Sequence, residues 1–166
     1  MHKDELRQLL ADFAAERLAI LERHEASARV VSHYDFNNTY QYVIAREETH
    51  LEWVHTALAE FGVAPAPAAA LPAPEAPKGK KLQPSAFSSI MGEDARTLRA
   101  FVDRWRPRLD AMTHARHRTM LDVVLGESLE HMRLFEQGAA GDEDLLGRRT
   151  SQAERVGAVL PNRWME

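Results

Sequence analysis

Two sets of residues at helical spacing could do chemistry in this chain: Glu47-x-x-His50 and Glu127-x-x-x-His131. Residues three or four apart lie side by side on a helix, so within each set a carboxylate oxygen and an imidazole nitrogen can reach one ion. Both sets fall along the apolar face of a long amphipathic segment, where a soluble helix carries Leu or Val. A carboxylate and an imidazole facing a core are costly unless something compensates them. A bound metal ion is the simplest compensation that serves both segments at once. The chain has no cysteine, which excludes disulfides, thiolate nucleophiles and iron–sulfur clusters. Any metal must then sit on Glu, Asp and His, a donor set that suits iron, manganese or zinc. Such a site with open positions could activate water or dioxygen.

The elements that position these residues read as helices throughout, with no convincing alternating strand. A first segment from about residue 3 to 31 places Leu6, Leu10, Phe13, Ile20, Leu21, Ala28 and Val31 on one face at ~100° per residue. Asp35 reads as the N-cap of a second segment, which runs from about Phe36 to Phe61 and stops at Gly62. Its inward stripe is Phe36, Val43, Glu47, His50, Val54, Leu58 and Phe61, with Glu48 and Glu52 outward. The short connection implies that the two helices are antiparallel neighbours. A Pro/Ala-rich stretch follows, predicted as a crossover over about 62–91 that runs the length of a bundle. A third helix is expected from near Gly92, with Leu98, Val102, Trp105, Leu109 and Met112 inward and a kink or break at Pro107. The chain must turn between Arg106 and His117, with Thr113 as one N-cap. In the last long segment Met120, Val124, Glu127, His131, Leu134 and Phe135 face inward, and Gly126 is placed to admit a close helix. The four helices make one domain over 1–138. The tail 139–166 is expected to dock through Val159, Leu160 and Trp164, with a short helix around Gln152 to Val159.

In Arg46-Glu47-Glu48-Thr49-His50 and Gly126-Glu127-Ser128-Leu129-Glu130-His131, the chain resembles the ferritin-like superfamily of four-helix bundles, which includes rubrerythrins and other di-iron carboxylate proteins. The resemblance implies an all-α ferritin-like bundle, a Glu-x-x-His set on helices two and four, one Glu on each of helices one and three, and a long connection between helices two and three. It covers about residues 3 to 137. This sequence departs from that pattern in three places. His131 comes one residue late. Helix one offers Glu16 at the edge of its apolar face while Arg17 holds the centre, where a cation would repel a metal. Helix three presents Leu98, Val102 and Trp105 inward, with Asp103 pointing away and Glu93 and Asp94 near its end. The expected ligands are therefore Glu47, His50, Glu127 and His131, with Glu16 and Glu130 as additional or supporting groups, and iron or manganese as the metal.

Two other readings stand beside a metal-binding protein with oxidoreductase chemistry. In one, the bundle is a metal-free scaffold or dimerisation module whose Glu/His sets are neutralised by Arg17 and by one another. In the other, His50 works with further histidines such as His114 and His117, in a metal-dependent transferase or hydrolase resembling DinB-like proteins. His24 also falls on the apolar face of helix one and reads first as a core histidine. Trp53 and Tyr42 lie to one side of the second helix's stripe, a position suited to a homodimer partner. A net charge of −4 gives no electrostatic reason to expect nucleic acid or an anionic membrane. The clusters Lys78-Gly79-Lys80-Lys81 and Arg148-Arg149 are too short to change that. No apolar run reaches the roughly 18 residues of a membrane span, and the N-terminus is no signal peptide. The expectation is a soluble cytoplasmic protein.

Overall fold

The computed structural model describes residues 2–68, 70–79 and 81–147. Four helices make up the described chain: α1 (Lys3–Val30), α2 (Tyr34–Ala59), α3 (Ser88–Asp110) and α4 (Ala115–Ala139), with a 3-10 turn at Pro84–Phe87 ahead of α3. There is no strand among the described residues. None of these helices is long and apolar enough to cross a membrane. The expected docking of Val159, Leu160 and Trp164, the short helix near Gln152 and the Arg148-Arg149 cluster lie outside the described residues.

Helix pairing follows from the short turns. α1 packs chiefly on α2 and α3 on α4, with weaker α2–α4 and α1–α3 contacts. The α1–α2 turn is closed by side chains. His33 caps α2 by accepting from the Phe36 amide, and the Asn37 side-chain amide donates to the carbonyls of Ala28 and Val31 at 2.8 and 3.0 Å. The cap is thus His33 rather than Asp35, which lies in the first turn, where its charge suits the positive end of the helix dipole. Gly62, at φ 71°, ends α2 as expected, with the Val63 amide returning to the Leu58 carbonyl.

α3 begins four residues earlier than the acidic turn at Gly92 predicts. Pro84 starts the 3-10 turn, and the buried side chains of Phe87, Ile90 and Met91 anchor the helix start in the core. Pro107 does not break α3. It sits in the last turn, and Asp103, whose carbonyl loses its amide partner, lies on the exposed flank. α4 is capped at His114, one residue after Thr113. Gly126 admits no close helix: a Cβ there would meet nothing within 4 Å.

Side-chain contacts fix which ends meet. Glu60 at the end of α2 accepts two hydrogen bonds from Arg116 at the start of α4, and Lys3 of α1 lies 5.8 Å from the Phe61 ring. At the other end the Ser88 hydroxyl donates to the Ala139 carbonyl, and His33 reaches Glu143 at 2.7 Å. The end of α2 and the start of α3 therefore lie at opposite ends of the bundle. Midway, the Pro72 carbonyl accepts from Arg23 of α1.

The core carries two polar levels among apolar ones. Near the Ser88 end, Asp94 is fully buried, accepting from Arg23 Nε at 2.8 Å and from the Tyr40 hydroxyl at 2.5 Å. Burial and the Asp94 charge push the Tyr40 phenol well above its ordinary pKa. Asp94→Ala strips Arg23 and Tyr40 of a shared buried acceptor, and a loss of about 3 kcal/mol is expected. Urea denaturation checks this, and a midpoint equal to wild type would show that Glu93 and Pro72 alone satisfy Arg23. The second polar level holds the Glu/His sets.

Candidate functional site

At this level α1 contributes Arg17 and His24, α2 contributes Arg46, Glu47 and His50, and α4 contributes Glu127 and His131. Helical spacing sets Arg17, His24, Glu47 and His50 inward. Seven residues, about two turns, separate Arg17 from His24, so both point at the same partner helix. Arg17, His24, Glu47 and His50 are fully buried and His131 is 1% exposed. Aromatic rings close the level on two sides. Phe13, Phe101 and Trp105 pack together on one, with Arg17 stacked over Phe101 at 5.5 Å, and Tyr40 and Phe135 lie 4.7 Å apart on the other, with His24 at 5.0 Å from Phe135.

Hydrogen bonds and the Arg17–Glu47 ion pair join most of these groups into a chain. Arg46 grips Glu127 with two bonds of 2.7 and 2.9 Å. His50 Nε2–H donates to Glu127 Oε2 at 2.9 Å. With its proton on Nε2, His50 turns the Nδ1 lone pair toward Arg17 Nη2, 3.4 Å away. The same Nη2 lies 3.1 Å from Glu47 Oε1, while Glu47 Oε2 accepts from His24 Nδ1–H at 2.8 Å. The Arg17–Glu47 contact is an ion pair without hydrogen-bond geometry, so Glu47 Oε1 has charge compensation but no donor. Arg17 Nε and Nη1, His24 Nε2 and His131 Nδ1 also have no hydrogen-bond partner.

Electrostatics follow from burial and from the two arginines. Burial alone would raise the Glu47 pKa, but attraction to His24 and Arg17 outweighs it and holds the carboxyl at about 2. Burial, reinforced by the Arg17 charge, lowers His50 to about 4 despite Glu127. His131 is lowered to about 4 by burial, with Glu47 opposing. Arg17 is itself pulled below its ordinary value by burial, against Glu47 and Glu127. At neutral pH the level therefore holds two cationic arginines, two carboxylates, and His50 and His131 in their neutral forms.

The sequence-predicted residues divide into two groups. Glu47, His50, Glu127 and His131 share one level, although Glu127 sits at its rim, with a side chain 29% exposed. Glu16 and Glu130 are not part of it. Glu16 accepts from the Trp105 indole at 2.8 Å and pairs with Arg104, and Glu130 is exposed and paired with Arg133. His114 and His117 face each other at 2.8 Å, beside Phe61 at the α3–α4 turn. Phe61 stands eleven residues beyond His50, ~16 Å along the helix direction, so these histidines do not join His50. Sequence reasoning missed Arg46, which takes Glu127, and it gave His24 no partner. Arg46 sits next to Glu47 in the sequence, and a basic residue flanking the motif was the available signal.

Among the described residues no three carboxylate, imidazole or thiol groups converge to hold a metal ion. The donors are committed elsewhere: Glu127 to Arg46 and His50, Glu47 to Arg17 and His24. A divalent ion added beside Arg17 would meet a buried cation already paired with Glu47, so iron or manganese does not fit this arrangement. A groove of about 620 Å³ on the surface is lined by Leu21, Leu51, His55 and Val63, and none of the network residues lines it. No family model, curated protein or solved structure matches this chain.

Proposed function

We propose that this chain is a ferritin-like four-helix bundle in which an arginine-centred ion network stands in place of a metal centre, and that it serves as a scaffold or dimerisation module. The observation that carries this reading is the guanidinium of Arg17, fully buried and within 3.4 Å of both Glu47 and His50. Those two residues are the leading ligand candidates, and a cation of the chain's own already lies between them. The long connection from the far end of α2 to the near end of α3 supports the ferritin-like topology. So does the placement of both Glu/His sets at one level.

A second reading, an iron or manganese protein with oxidoreductase activity, is favoured by one observation: Glu47 Oε1 and His131 Nδ1 are buried without a donor. Elemental analysis decides between them. Protein purified without an affinity tag, and after anaerobic loading with iron or manganese, is expected to carry well under one metal per chain, with Glu47→Ala and His131→Ala no different. One metal per chain in wild type, lost in both variants, would replace the first reading with the second. Sedimentation equilibrium tests the dimer, and Tyr42, 44% exposed on α2, is the first residue to substitute there.

A further inference from the structure

We propose that the groove between α1 and α3 binds an amphipathic carboxylate, with the apolar chain on the groove's floor and the carboxylate on Arg96. The site lies apart from the ion network and does not depend on it. Two cavities make up the groove. One, of about 550 Å³, is lined by Ala15, Ala19 and Ile20 of α1, by Ala100 of α3 and by Leu71 of the crossover. The other, of about 350 Å³, is lined by Arg23, Glu93 and Arg96. Leu71, Thr97 and Ala100 line both, so the two are continuous. Each volume falls in the range of small-molecule sites.

The crossover does not fill this groove. Leu71 stays 38% exposed, although Arg23 holds the next residue, Pro72, by its carbonyl. An apolar side chain left half in water beside an apolar groove loses that exposure when a hydrocarbon chain enters, which favours binding. Charge then selects the head group. Around the groove each carboxylate has its own arginine: Glu93 pairs with Arg23 at 3.0 Å, Glu16 with Arg104 at 3.0 Å and Asp12 with Arg108 at 3.4 Å. Arg96 is exposed, lies back along α3 beside Gly92, and has no ion pair or hydrogen bond among the described residues. A guanidinium can present two parallel N–H donors to a carboxylate, so an anion here gives Arg96 the partner its three neighbours already have. A cationic head group finds no carboxylate left to take. Between Arg96 and Arg104 α3 advances ~12 Å, room for a medium-length acyl chain.

The test is isothermal titration calorimetry of the full chain with decanoate below its micellar concentration, beside decanol and acetate. Decanoate is expected to bind saturably at about one per chain, decanol more weakly and acetate not at all. Arg96→Gln should weaken decanoate by about tenfold or more and leave decanol unchanged. Ala100→Phe fills the groove and should abolish both. Arg96 and Ala100 are exposed, so neither change reaches the core, and circular dichroism checks the fold. Ala15→Phe fills the same space from α1 and replaces Ala100→Phe should that variant not fold. Absence of saturable decanoate binding by wild type would overturn the inference, as would binding that survives both Phe variants. Decanoate affinity unchanged in Arg96→Gln would overturn the assignment of the carboxylate. Binding to phosphatidylglycerol vesicles without binding to decanoate would overturn the inference in favour of a membrane surface. Metal content plays no part in these measurements, so the metal-free reading stands or falls separately.

Discussion

Arg17→Met, measured by urea denaturation at pH 7 without added metal, is expected to lose about 3–5 kcal/mol, the usual cost of breaking a buried ion pair by removing one partner. The reason lies with the partner left behind. Glu47 is fully buried and held at a pKa of about 2 by His24 and Arg17. Without the guanidinium its charge keeps one hydrogen bond from His24 and little else. Methionine fills most of the vacated volume, so the loss reports charge more than cavity. The double variant Arg17→Met/Glu47→Leu removes both ions, and its stability should return to within about 1 kcal/mol of wild type or exceed it. Recovery in the double variant is the decisive comparison. If the double variant were less stable than Arg17→Met alone, the network would be contributing through its hydrogen bonds to His24 and His50 rather than through paired charge. The same substitutions at the rim should matter far less. Arg46 and Glu127 have side chains 35% and 29% exposed, where water screens the pair.

How much of this level was legible in the sequence depends on what each residue needed to be placed. The four helices were readable because a 3.6-residue apolar period survives interruption by single polar residues, and Glu47, His50 and His131 were found as those interruptions. Arg17 was visible at the centre of its face for the same reason. Its pairing with the Glu/His sets was legible too, but the choice of Glu47 over Glu127 was not, because that requires the relative heights of α1, α2 and α4, which a pattern along one helix does not contain. Asp94 shows how a boundary error propagates. With α3 starting at Gly92 the residue falls in a solvated first turn. The buried Phe87, Ile90 and Met91 start the helix at Ser88, nearly two turns before Asp94, and Asp94 then enters the core beside Tyr40. Glu16 and Glu130 lie apart from the level for a different reason. Each lies one turn or less from an inward position, and local partners, the Trp105 indole with Arg104 in one case and Arg133 in the other, hold them away. Gly126 was read as a contact point, yet absence of a side chain marks a close approach only where something approaches.

Acid should unfold this protein well above the pH at which its carboxylates are protonated, because of His50 and His131. Both are lowered to about 4, in each case chiefly by burial. In the unfolded chain they return to about 6.5. Between those values the unfolded state binds more protons than the folded state, so stability falls as pH drops from about 6.5 toward 4. Each histidine shifted this far accounts for a few kcal/mol, and the two together approach the whole stability of a small domain, ~5–15 kcal/mol. Glu47 works in the same direction at lower pH: its contribution is present above its unfolded value and is lost as pH falls through about 2. The histidines therefore act first. Thermal midpoints should be flat from pH 8 to 7, drop steeply between pH 6 and 4.5, and show a slope near two protons. His131→Leu should reduce that slope to about one proton, since its Nδ1 makes no hydrogen bond that leucine would forfeit. A midpoint unchanged down to pH 4.5 would mean that His50 and His131 accept protons inside the folded bundle, with Glu127 and Glu47 taking up the added charge.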